Sequence, residues 1–176
     1  MFFDESGASL TPIIRRTWAP RGVTPVLRHL FKWKRLNMAA ALCYGSHGGG
    51  ARLAFHAQPV AYATDSLIVV LGELRRFLGG EKATLIWDNL PAHHSRAMRR
   101  WIRSQRDWLV VEYLPAYAPD LNPVEGLWAN LKAVELAGLA AATLEDLQTV
   151  VHRGIDRIRG AWHLPCSFLR HCGLSL

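Results

Sequence analysis

The feature that most restricts the fold is an apolar run of strand length, Leu36 to Tyr44 (LNMAAALCY). A run of this kind reads as a strand buried on both faces. Its neighbours extend the pattern. Met1 to Asp4 reads as a short apolar strand entering an acidic pair, and Arg52 to Ala57 as another short strand. Ala83 to Trp87 is a buried strand ending at Asp88-Asn89, and Trp108 to Leu114 is a further one. Helical spacing predicts a helix from Thr64, with Leu67, Ile68, Leu71, Leu74 and Leu78 on one face and Gly79-Gly80 as the stop. His94 to Asp107 reads as a second helix. Asn122 reads as an N-cap with Pro123 at the first helical position, opening a helix to about Glu135. Thr143 caps another, with Leu147, Val151, Ile155 and Ile158 on one face. Thr11 to Thr24, Gly45 to Gly50 and Pro115 to Pro119 read as loops, and the residues after Gly160 as a short irregular tail. Three strands followed by alternating helix and strand is an α/β pattern with a mixed sheet. The 176 residues are enough for one domain with its own core.

Half the residues are hydrophobic and a fifth are charged, which excludes a disordered chain. No stretch free of charged residues reaches the roughly 18–20 apolar residues of a spanning helix. The first residues lack the basic and apolar regions of a secretory signal. Three cysteines make no disulfide framework, so a reducing, cytoplasmic compartment is expected. The formal net charge of +7 favours a polyanionic partner, and most of the cations are arginines, whose forks suit phosphate oxygens.

Of the fourteen acids, most sit at helix ends or on solvated faces. Three do not. Asp4 and Asp88 each end a strand, and Glu125 lies in the first turn of a helix that follows a strand and a Pro-rich loop. In open α/β sheets the region beyond the carboxyl ends of the strands is where ligands bind. Three carboxylates converging there repel one another unless a divalent cation neutralises them, and a set of oxygen ligands points to Mg²⁺ or Mn²⁺. Two such ions are suited to phosphodiester cleavage. Glu125 also stands three residues after Asn122, where it could instead be the glutamate of a capping box.

The words around these acids are distinctive. Phe3-Asp4-Glu5-Ser6-Gly7, Trp87-Asp88-Asn89-Leu90-Pro91-Ala92-His93, and the long block from Tyr113 to Lys132 with its Asn122-Pro123-Val124-Glu125 resemble the catalytic domain of IS630-type insertion-sequence transposases. These are grouped with the Tc1/mariner elements and the DDE endonucleases. Trp18-Ala19-Pro20-Arg21-Gly22 is similar to the family's segment between the first two strands. The resemblance implies an RNase H-like fold with a five-stranded mixed sheet, spanning residues 1–160, with 161–176 as a C-terminal tail. It implies that Asp4, Asp88 and Glu125 form the metal-binding triad for two Mg²⁺ ions, Mn²⁺ substituting, with Asp4 bridging both. Asn89 and His93 match motif positions near the metals, where they support the ligands or touch DNA. The implied reaction is hydrolytic nicking at transposon ends, then attack of the 3′-hydroxyl on target DNA. The implied partners are double-stranded DNA, a second copy in a homodimer, and a helix-turn-helix segment encoded in an upstream frame, since that region is expected to be absent here. The implied location is the bacterial nucleoid. Two other readings keep the fold: a DNA-binding remnant without turnover, and a standalone RNase H-like nuclease.

Arg96, Arg99, Arg100 and Arg103, with Arg106, share one face of the helix after Asp88 and are candidates for tracking DNA phosphates. Lys32, Lys34 and Arg35, interleaved with Phe31 and Trp33, are a second set. His163, Cys166, His171 and Cys172 match no usual zinc spacing. Cys43 is expected in the core, as are the seven tryptophans.

Overall fold

The computed structural model describes residues 1–29, 33–45, 50–116 and 118–175. Among these residues five strands, β1 (Phe2–Ser9), β2 (Arg35–Tyr44), β3 (Ala51–Gln58), β4 (Ala83–Trp87) and β5 (Leu109–Tyr113), form one mixed sheet in the order β3-β2-β1-β4-β5. The β1–β2 and β2–β3 pairs are antiparallel, and the β1–β4 and β4–β5 pairs are parallel. Among the described residues five α-helices cover it: α1 (Thr64–Phe77), α2 (Arg96–Ser104), α3 (Pro123–Val134), α4 (Leu144–Gly160) and α5 (His163–His171).

Strand alternation splits the core in two. Met38, Ala40 and Leu42 of β2 face a core built with α3, α4 and α5, while Ala39, Ala41 and Cys43 face one built with α1 and α2. This is why the run from Leu36 carries almost no polar residue. On α1, Leu67, Leu71, Leu74 and Leu78 are buried as their spacing requires, and Gly79 and Gly80 end the helix at positive φ of 66° and 82°. Arg157 of α4 grips Glu135 through two nitrogens, at 2.6 and 3.1 Å, and pins α4 to the end of α3, so Glu135 is not solvated.

Several expectations need correction. β1 does not stop at the acidic pair: it runs to Ser9, because β2 pairs with it along its whole length. The stretch after Gly160 is not irregular. Most of it is α5, whose Phe168 and Leu169 enter the core although the helix has no side-chain cap and holds Pro165 in its first turn. α2 is shorter than its pattern, because tight turns occupy Leu90 to Ser95 and Ser95 then caps the helix at Met98 N–H. Trp87, Trp108 and Trp128 are in the core. Trp18, Trp33 and Trp162 are exposed, the first two belonging to the segment between β1 and β2, of which Leu10 enters the core while Trp18 and Trp33 do not.

Candidate active site

β1 and β4 share a single rung, Phe2 opposite Ile86, and then part, while β1 stays paired to β2. Asp4 and Asp88 each lie two residues beyond that rung. Alternation gives Asp4 the face of Phe2, which is the α3 side of the sheet. The splay opens a cleft of about 460 Å³, lined by Asp4, Asp88, Asn89, Glu125 and the loop that leaves β5.

α3 supplies the third acid and holds the first. The Asn122 side chain caps α3 at Val124 N–H, 3.2 Å, and the Asn122 N–H donates to the Pro119 carbonyl. The capping-box role considered for Glu125 is therefore not taken up: its carboxylate is exposed on the cleft. One turn on, the buried Trp128 Nε1–H donates to Asp4 Oδ2 at 2.8 Å. A further turn on, Lys132 Nζ donates to Ser6 Oγ at 2.9 Å. α3 thus runs along β1, with Trp128 and Lys132, four residues apart, directed at it.

Asp4 is 8% exposed. Burial and then the negative charge of Glu125 push its carboxyl up to about 7. The Trp128 hydrogen bond opposes them, and Glu5 and Asp88 add to the rise. Asp88 behaves oppositely. Burial would raise it, but hydrogen bonds from His93 and from Leu90 N–H hold it below the usual carboxylate range. His93 has no exposed surface and stacks on Trp87 at 3.8 Å between ring centres. Its Nδ1 lies 2.9 Å from Asp88 Oδ1 and its Nε2 3.1 Å from Glu5 Oε1. Burial alone would lower the imidazole, but these carboxylates outweigh it and raise it to about 9. A ring so enclosed cannot touch DNA, so of the two roles expected for His93 only support of Asp88 fits. Asn89 is exposed, donates to the Leu114 carbonyl at 2.6 Å and lies 3.0 Å from His94, tying the β4 exit to the β5 exit.

The structure thus brings Asp4, Asp88, Glu125 and Asn89 to one cleft with His93 behind it. Among the described residues no three His, Cys, Asp or Glu side chains are placed to hold one ion together. Glu5 and Lys132 were missed in the sequence: Glu5 passes for a solvated neighbour of Asp4, and its partner His93 is 88 positions away. Arg96, Arg99, Arg100 and Arg103 are exposed on α2, and none forms an ion pair among the described residues. Lys34 and Arg35 are exposed, the Arg35 guanidinium lying over Gly7 where any Cβ would collide with it. Lys32 and Phe31 lie outside the described residues.

A mixed five-stranded sheet between helices, with acids gathered where its first and fourth strands part, defines the RNase H-like class. The chain belongs to the DDE superfamily endonuclease family, whose model matches residues 1–148. No curated protein matches the sequence. Among solved structures, it is similar to the mariner Mos1 paired-end complex with Mg (16% identity, TM-score 0.62, covering 98% of this chain and 52% of that one). It is also similar to the Mos1 strand transfer complex (20%, 0.59, 95% and 53%) and to the Mos1 catalytic domain alone (19%, 0.51, 95% and 80%). The chain spans about half the length of the Mos1 chains in the paired-end and strand transfer complexes.

Proposed function

We propose that this domain carries out the phosphodiester chemistry of DNA transposition: nicking at element ends, then transfer of the 3′-hydroxyl into target DNA. The observation that carries the reading is the meeting of Asp4, Asp88 and Glu125 on one cleft in a chain of the DDE endonuclease family.

The donor set fits Mg²⁺ or Mn²⁺. It is made of carboxylate oxygens, and burial, then the negative charge of Glu125, raises the Asp4 carboxyl to about 7, a charge that a bound cation would offset. Asp4 would be shared by two ions, one held with Asp88 and the other with Glu125, an arrangement that does not require three ligands at one ion. Bound there, the cations supply activation of the attacking oxygen and neutralisation of the leaving one. Trp128 fixes Asp4 by its indole N–H. Asn89 holds the β5 exit loop that walls the cleft. Structures of Mos1 have been solved with Mg and with Mn, in keeping with this choice of metal.

The exposed arginines of α2, with Lys34 and Arg35 and the overall +7, supply phosphate contacts along double-stranded DNA. A homodimer pairing two ends, a helix-turn-helix segment for end recognition, and a nucleoid location complete the reading. No helix among the described residues is long and apolar enough to cross a membrane.

A plasmid-nicking assay tests it. Supercoiled DNA is expected to be nicked with Mg²⁺ or Mn²⁺ and to stay intact with chelator. DNA binding without cleavage under every metal condition would favour a remnant without turnover, and preferential cleavage of an RNA–DNA hybrid would favour a nuclease of another kind.

A further inference from the structure

We propose that Glu5 is a positioning residue: through His93 it fixes the Asp88 carboxylate with one oxygen held and the other left free for a divalent cation. This rests on the reading of Asp88 as a metal ligand.

Asp88 lies just past the end of β4, and its side chain is 41% exposed. Nothing in the sheet ladder restrains it. Its Oδ1 takes two donors, Leu90 N–H at 3.1 Å and His93 Nδ1 at 2.9 Å, while Oδ2 makes no hydrogen bond among the described residues. The orientation of the carboxylate therefore depends on the imidazole. That ring is stacked within 6° of parallel on Trp87, and a stack alone permits it to turn over by half a revolution in place. Hydrogen bonds distinguish the two orientations. His93 Nδ1 faces the Asp88 backbone carbonyl at 3.0 Å as well as Oδ1, so it must be a donor. On the far side, Glu5 Oε1 is the partner of Nε2, at 3.1 Å.

Glu5 is itself well placed to act as an anchor. It lies within β1, its side chain is 13% exposed, and its backbone is paired with Ala39 of β2. β1 thereby sends two adjacent acids to opposite faces of the sheet, Asp4 into the cleft and Glu5 to the back of Asp88. Outer partners that orient ligands in this way are as much part of a metal site as the ligands.

Reach and charge can be separated at Glu5. Glu5→Gln removes the charge and keeps the reach to Nε2. Glu5→Asp keeps the charge and withdraws the oxygens by one methylene. His93→Gln keeps an N–H near Nε2 and loses the bond to Asp88. Binding of Mn²⁺ to the full chain, read by electron paramagnetic resonance without DNA, is expected to stay near wild type in Glu5→Gln. It is expected to weaken by roughly 10–100-fold in both Glu5→Asp and His93→Gln. The opposite order at Glu5 would mean that it acts by charge, and wild-type binding in Glu5→Asp and His93→Gln would mean that it has no role. Either result overturns the proposal and leaves the proposed function standing. Should Glu5→Asp not fold, His93→Gln decides. Wild-type binding in Asp88→Asn, or no Mn²⁺ binding by the unmutated chain, would remove the metal reading itself and this proposal with it.

Discussion

Asp88→Asn is expected to reduce metal-dependent DNA cleavage on the order of 10³-fold or more while leaving the fold and DNA binding in place. The geometry makes this substitution unusually selective. The amide oxygen can still accept from Leu90 N–H and His93 Nδ1, so the turn after β4 and the buried histidine keep their partners. What changes is Oδ2, the oxygen with no hydrogen bond among the described residues, which becomes an NH₂ group that cannot coordinate a cation. One repulsive charge is also lost beside the path of a polyanion, so DNA affinity should be equal or greater. Nicking and gel-shift measurements on the same preparations check both halves. Unchanged cleavage would reject Asp88 as a ligand, and lost DNA binding would show that the substitution disturbs more than the metal site.

The second large effect is on stability and concerns Asp4. Its carboxyl ordinarily titrates at 3.8 and is raised in the fold to about 7, chiefly by burial and then by Glu125. Between those two values the unfolded chain gives up its proton while the folded chain retains it. The folded state then binds more protons, so stability falls as pH rises through this window and levels off above it. Asp4→Asn removes that fall. In chelator, urea unfolding should show the variant more stable than wild type at about pH 8, by on the order of a few kcal/mol, with the difference vanishing below the unfolded value. The indole of Trp128 keeps an acceptor in the variant, so its burial is undisturbed. Adding Mg²⁺ should narrow the gap at about pH 8, because only the wild-type carboxylate gains from the cation. Parallel pH curves for the two proteins would show that Asp4 ionises in the fold as easily as in water.

The same residues show what a sequence can and cannot disclose. Asp88 is legible because a five-residue apolar strand ends immediately before it. Glu125 is legible because Asn122 and Pro123 mark the start of α3 unmistakably. Asp4 is found for a partly mistaken reason: the polar letters after it suggest that the strand ends, whereas β1 continues and it is β4 that turns away. Local polarity cannot reveal which neighbour a strand keeps. Glu5 illustrates the same limit more sharply, since its role depends on a histidine that only the assembled sheet brings near. α5 is hidden for another reason. It begins without a capping side chain, carries a proline in its first turn, and is stabilised by burying Phe168 and Leu169 rather than by its own propensities.

Crystals grown with Mn²⁺ and examined by anomalous scattering test the shared-metal arrangement most directly. The account predicts two peaks about 3.5–4 Å apart flanking Asp4, one shared with Asp88 and the other with Glu125. A protein that cleaves DNA with Mn²⁺ bound elsewhere, or at one site that leaves Asp4 out, would contradict it.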